Sequence, residues 1–147
     1  MATFDELHRQ NHELTELSNV LLYLFQDRAM CDTETACTLF YSFMDKINEH
    51  LGVVDQLYQG LLSDKEQKVN NTAQLFMSGE QELKRIISQY KKKWCSKSRK
   101  ELKLADHEQF LKDTEELFEM VLSRIQDETE HLYPLVREVR GDSKTAA

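Results

Sequence analysis

The feature that most constrains this chain is a run of mainly apolar residues at steps of three and four. The clearest run covers seven positions: Phe40, Phe43, Ile47, His50, Val54, Leu57 and Leu61. Steps of this size place side chains on one face of an α-helix, whereas a strand needs steps of two. The pattern therefore predicts a long helix that buries one face, with a histidine in the middle of that face.

Three other segments carry the same kind of pattern, so the sequence predicts four amphipathic helices. The predicted helices cover residues 3–27, 32–63, 64–94 and 105 onward. The second begins at Asp32 or Thr33 and the fourth at Ala105 or Asp106, while residues 28–32 form a break. Pro134 lacks an amide hydrogen, so it should kink or end the fourth helix.

The links between these helices are mostly short, which favours packing between successive helices. The chain of 147 residues holds only four glycines and one proline, and strand-rich folds need more frequent turns. We therefore predict an all-α fold, an antiparallel up-down-up-down four-helix bundle. Residues 1–140 form its single domain, and the tail 141–147 is expected to be disordered.

Charge and composition limit the classes of partner. The net charge of -7 argues against duplex DNA as a direct partner and is compatible with a basic protein partner. No apolar run approaches the ~20 residues that span a bilayer, and the N-terminus does not resemble a signal peptide, so we expect a cytoplasmic protein without membrane contact. Cys31, Cys37 and Cys95 follow no metal-binding spacing and are interpreted as reduced structural thiols.

The predicted helices direct polar side chains inward at about the same height. Counting ~1.5 Å per residue from the predicted turns brings Asn11, His50, Glu80 and Arg124 to a common level, with Glu128 one turn from Arg124. Buried charges are rare unless they are paired or bind a metal. Four polar groups at one height therefore indicate a built polar layer in the core.

Two main interpretations of this layer follow from the residues, and a small-ligand pocket is a third. In the first, Arg124 lies between Glu80 and Glu128, and His50 and Asn11 fill the remaining hydrogen bonds. In the second, the layer binds iron, manganese or zinc through His50, Glu80 and Glu128, with His8 as a further ligand. No catalytic triad, phosphate loop or dinucleotide fingerprint is present, so catalysis has no support in the sequence. The basic segment 91–100 is either a solvated helix end or a contact site.

The layout and local motifs resemble the hemerythrin-like, HHE cation-binding domains. The matching stretches are NHELTEL at 11–17, EHLGVVDQLYQ at 49–59, GEQELKRII at 79–87 and RIQDETEHLYPLV at 124–136. This resemblance implies a four-helix bundle whose core held a di-iron centre. His50 and Glu128 match ligand positions of that family, and His12 matches a third by local sequence.

The chain departs from the family pattern at the other metal positions. Val54 replaces the acid four residues after the ligand histidine, with Asp55 adjacent but out of phase. Glu80 or Gln81 stands in place of one histidine and Arg124 in place of another. The resemblance therefore implies a binding or regulatory protein without cofactor, whose metal site is largely lost. A metal-binding sensor of oxygen, iron or redox state is the alternative.

A shorter similarity points to one class of protein partner. The stretch DHEQFL at 106–111 and the spacing of Arg124 and Glu128 are similar to the Rsd/AlgQ regulators. This second resemblance implies an anti-sigma-type transcription regulator that binds a sigma factor.

Overall fold

The computed structural model describes residues 4–95, 102 and 104–140. Thr3, where the first predicted helix begins, and the predicted disordered tail 141–147 lie outside the described residues. Within the described part of the chain the fold contains helices and no strand, which confirms the all-α prediction. The helices are α1 (Phe4–Phe25), α2 (Arg28–Cys31), α3 (Glu34–Leu62), α4 (Gln67–Trp94), α5 (His107–Asp127) and α6 (Tyr133–Arg140).

Side-chain caps fix the starts of two long helices close to the predicted positions. The hydroxyl of Thr33 accepts from the amide of Ala36 at the start of α3, and the carboxylate of Asp106 accepts from the amide of Gln109 at the start of α5. Such caps satisfy amides that have no partner within the helix. The predicted break at residues 28–32 is wrong in part, because Asp27 caps the short helix α2.

The sequence predicts that Pro134 kinks or ends the fourth helix, and in the structure the helix does not end there. Residues Glu128–Leu132 form a π-helical turn, and the amide of Tyr133 donates to the carbonyl of Glu128. The chain then continues as α6 to Arg140. Proline in a helix interior removes one hydrogen bond and clashes with the preceding turn. The wider turn places Pro134 in the first turn of α6, where its missing amide hydrogen costs little.

The four long helices pack in a closed ring of contacts. Helix α1 packs against α3 and α5, and α4 packs against the same two helices. None of the described helices is long and apolar enough to cross a membrane. Because each long helix contacts two others, the ring surrounds one interior, which the side chains of all four long helices can reach.

This interior contains two apolar clusters rather than one. The larger includes Leu14 of α1, Ile47 of α3 and Leu83 of α4; the smaller includes Leu7, Val54 and Ala73 of the same helices. On each of these helices buried polar residues lie between members of the two clusters: Gln10 and Asn11 on α1, His50 on α3 and Glu80 on α4. Ser18 of α1 is also buried, but it lies within the larger cluster. A polar layer therefore separates the two parts of the core.

Candidate functional site

The centre of the polar layer is a histidine–glutamate pair. His50 Nε2 lies 2.8 Å from Glu128 Oε1, and the two side chains are 5% and 0% exposed. The other ring nitrogen of His50 lies 3.0 Å from Gln10 Oε1. Both ring nitrogens are therefore engaged by side chains of other helices. A buried polar group that is paired in this way avoids most of its desolvation penalty.

Arg124 forms the second part of the layer. Its Nη2 donates to the hydroxyl of Tyr58 at 2.6 Å and to the backbone carbonyl of Phe76. Its Nε lies 3.8 Å from Glu128 Oε2, an ion pair too long for a hydrogen bond. The guanidinium also stacks over the ring of Phe76, 5.1 Å from its centroid. Arginine carries a fixed positive charge and several donors, so it can hold two acceptors by hydrogen bonds while its charge faces the Glu128 carboxylate.

Two buried tyrosines extend the layer toward the smaller apolar cluster. The first is Tyr58, whose hydroxyl accepts from Arg124 Nη2. The second is Tyr133, whose hydroxyl accepts from Asn11 Nδ2 at 3.3 Å. Both tyrosines are fully buried. Burial raises the pKa of both hydroxyls, so each stays protonated. The two phenols therefore serve as neutral hydrogen-bonding groups beside the charges of the layer.

Glu80 belongs to a separate carboxyl pair at the edge of the layer. Burial, followed by the hydrogen bond with Asp55 and the charge of Asp55, raises the pKa of Glu80 to about 8. The hydrogen bond with Glu80, helped by Lys84, lowers the pKa of Asp55. The shared proton therefore lies on Glu80, which donates to the Asp55 carboxylate. Lys84 Nζ lies 3.1 Å from Asp55 Oδ2 and 3.6 Å from Glu80 Oε2.

The structure brings together some of the sequence-predicted site residues and not others. The side chains of Asn11, His50, Glu80 and Glu128 are buried, and that of Arg124 is 14% exposed. No ion pair joins Arg124 to Glu80 among the described residues. The interpretation in which Arg124 lies between Glu80 and Glu128 therefore agrees with the contact to Glu128 but not with a contact to Glu80.

The residues named as possible metal ligands do not come together around one point. His8 and His12 are exposed, His12 pairs with Glu16, and the side chain of Asp55 is 45% exposed. Within the described ranges, no group of three or more histidine, cysteine, aspartate or glutamate side chains could hold a metal ion. His50 and Glu128 bind each other, and the guanidinium of Arg124 adds a positive charge beside them. This donor set does not fit a cationic metal.

Sequence reasoning missed three members of the layer, and each had a signal. Gln10 lies three residues after Leu7 and four before Leu14, so it is in phase with the buried stripe of α1. Tyr58 and Tyr133 are each the second residue of a Leu-Tyr pair, one in the stretch 49–59 and one in the stretch 124–136. A tyrosine that packs inward with its hydroxyl near a polar layer is expected to find a partner there.

The cysteines and the described part of the basic segment, residues 91–95, are not members of the polar layer. The three cysteines are buried and form no disulfide, and burial raises the pKa of the Cys31 thiol to about 11. Trp94 is buried, and its indole nitrogen donates to Asp113 at 3.0 Å. Only residues 91–95 of the basic segment 91–100 are among the described residues. Trp94 is therefore part of the core.

Gly79 leaves the space that the guanidinium of Arg124 occupies. A Cβ atom at this position would lie 2.7 Å from Arg124 Nη1. We expect Gly79→Ala to lower the free energy of unfolding by about 1–2 kcal/mol, because the guanidinium must leave its two hydrogen-bond acceptors and its ion pair with Glu128. Urea unfolding followed by circular dichroism measures this change.

Gly52→Ala is the matched control, since nothing lies within 4 Å of a Cβ atom at this helical position. It should raise stability by about 0.5–1 kcal/mol, as alanine does in a helix interior. Equal stabilisation by both substitutions would show that the guanidinium is not held where we describe it.

Comparison of the chain with protein-family models, with curated proteins and with solved structures finds no match.

Proposed function

We propose that this chain is a non-enzymatic binding and regulatory protein built as a hemerythrin-like four-helix bundle. In this proposal the core position of the metal centre is taken by Arg124, and the protein acts by binding another protein. The anti-sigma-type function is one form of this proposal, with a sigma factor as the partner. The single observation that carries the proposal is the position of the Arg124 guanidinium inside the polar layer.

The contacts of that guanidinium support a structural role for the layer. Arg124 reaches Tyr58 on α3, Phe76 on α4 and Glu128 in the π-helical turn. A cation that joins groups from several elements can do the structural work of a metal ion, although the net gain in stability need not be large. His50 and Glu128, the two family ligand positions that the chain keeps, contact each other through Glu128 Oε1. Glu128 Oε2 has no hydrogen bond and is left with the 3.8 Å ion pair to Arg124 Nε.

The burial of the polar layer supports the part of the proposal that the protein is not an enzyme. A catalytic acid or base must reach its substrate, usually in an open cleft. His50 and Glu128 are shielded from solvent and hydrogen-bonded to each other. These groups therefore stabilise an interior and do not face a substrate.

Metal analysis of protein purified without chelator tests the proposal. We expect well below ~0.1 equivalents of iron, manganese or zinc, because the donors hold one another and a guanidinium repels a cation. His50→Ala should then leave the absorbance spectrum unchanged, as should His12→Ala, which alters an exposed histidine.

The metal-sensor alternative predicts the opposite result. It requires about one or two equivalents of iron and an absorbance band that is lost in His50→Ala but kept in His12→Ala. That result would overturn the proposal.

A further inference from the structure

A groove runs along the surface between α4 and α5. It consists of two adjoining recesses of about 570 and 390 Å³, which share Glu116 and Met120. Asp113 lines one end and Asp127 the other. These two residues are fourteen positions apart on α5, which corresponds to about 21 Å along the helix. The groove is therefore long enough for three to four turns of another helix.

The floor of the groove is apolar. Leu83 of α4 and Leu117 of α5 lie at the base, and Ile86 is half-buried beside them. Met120 is 37% exposed, one of few large apolar side chains that reach solvent in the described part of the chain. Methionine is flexible and polarizable, so it adapts to different apolar partners. The floor therefore offers an apolar strip to an incoming side chain.

The α5 rim of the groove is acidic. Glu116, Glu119 and Asp127 are exposed, and none has an ion-pair partner among the described residues. The basic side chains of the groove are already engaged, since Lys93 pairs with Asp113 and Arg124 with Glu128. Three unpaired carboxylates thus border the apolar strip, on a chain of net charge -7.

We propose that the α4–α5 groove is the docking site for a basic amphipathic helix of a partner protein. This inference rests on the proposed binding function and names the chemistry of its partner. Apolar side chains of the partner helix pack on Met120 and Ile86, at the helical spacing that such grooves recognise. Its lysine or arginine residues face Glu116, Glu119 and Asp127. The charge of the rim excludes an acidic helix and speeds the encounter with a basic one.

Fluorescence anisotropy with a synthetic peptide tests this inference on the full chain. The probe is a fluorescein-labelled helix of about 18 residues, with leucine at helical spacing and lysine elsewhere, and its partner probe carries glutamate in place of lysine. The groove variant is Glu116→Lys/Glu119→Lys/Asp127→Lys. The control variant Glu49→Lys/Glu66→Lys/Glu138→Lys makes the same charge change at exposed residues outside the groove.

The lysine peptide should bind the wild-type chain saturably and gain helical circular dichroism. The groove variant should weaken this binding at least about tenfold, and the control variant by less than about twofold. Equal weakening in both variants, saturable binding of the glutamate peptide, or no binding of the lysine peptide would each overturn the inference. Self-association that the groove variant abolishes would also overturn it, because a second copy would then fill the groove.

The metal content of the protein is independent of this peptide binding. A protein free of metal that fails to bind the peptide contradicts only the groove inference. A protein that contains iron contradicts the proposed function, whatever the peptide does.

Discussion

Arg124→Met is expected to lower the free energy of unfolding by about 3–5 kcal/mol, because it removes one partner of a buried charged network. Methionine fills a similar volume but cannot donate to the hydroxyl of Tyr58 or the carbonyl of Phe76. It also leaves Glu128, which is fully buried, without its cation. Urea unfolding at neutral pH, followed by circular dichroism, measures the change.

Two further substitutions show whether the lost stability is specific to this buried site or would follow from removing any arginine. Arg85→Met removes an exposed arginine of α4 that pairs with Glu82, and stability should remain nearly unchanged. Arg124→Lys keeps the charge but lacks the planar fork, so it should recover only part of the loss. If Arg124→Met changes stability as little as Arg85→Met does, the layer does not depend on the guanidinium.

The stability of the protein should fall as the pH rises from about 5 to 9, and Glu80 should account for much of that fall. The ordinary pKa of this carboxyl is 4.5, and in the folded protein burial and Asp55 raise the pKa to about 8. Between these values the folded state holds a proton that the unfolded chain has released. The stabilisation is therefore complete below the lower pKa and is lost as the pH passes the upper one, by about 2–4 kcal/mol.

Glu80→Gln tests this prediction because glutamine is neutral and can still donate to Asp55. We expect the variant and the wild type to have similar free energies of unfolding at pH 5 and the variant to be more stable at pH 9. Glu49→Gln, at an exposed position, should follow the wild-type curve throughout. Parallel curves for the wild type and Glu80→Gln would mean that Glu80 is ionised in the folded protein at neutral pH.

Much of the helical architecture could be predicted because apolar spacing and end signals agreed along the chain. Thr33 and Asp106 cap helices near their predicted starts, and the stripe from Phe40 to Leu61 lies on the buried face of α3. The π-helical turn before Pro134 could not be predicted in the same way. Whether proline ends a helix or is accommodated depends on tertiary packing around the preceding turn, which helical periodicity does not describe.

The inward direction of the polar residues could be predicted, but their partners could not. Helical phase brings Glu80 and Arg124 to the same level, yet Asp55 of the neighbouring helix takes the contact with Glu80. Asp55 is one residue away from the buried stripe, and half-exposed positions of this kind can reach either side. Gln10 and Asn11 are adjacent and both buried on α1, and helical phase does not tell which of the two contacts His50. Which side chains pair at the edge of the polar layer depends on their rotamers and on the distances between helices.

In the proposed function, Arg124 and Glu128 stabilise the core as a pair, in place of a metal. A double-mutant cycle of Arg124→Met, Glu128→Gln and their combination measures this coupling directly. We predict a coupling free energy of at least about 2 kcal/mol, so that the double variant is much less destabilised than the sum of the single variants. Additive effects, with a coupling near zero, would contradict the claim.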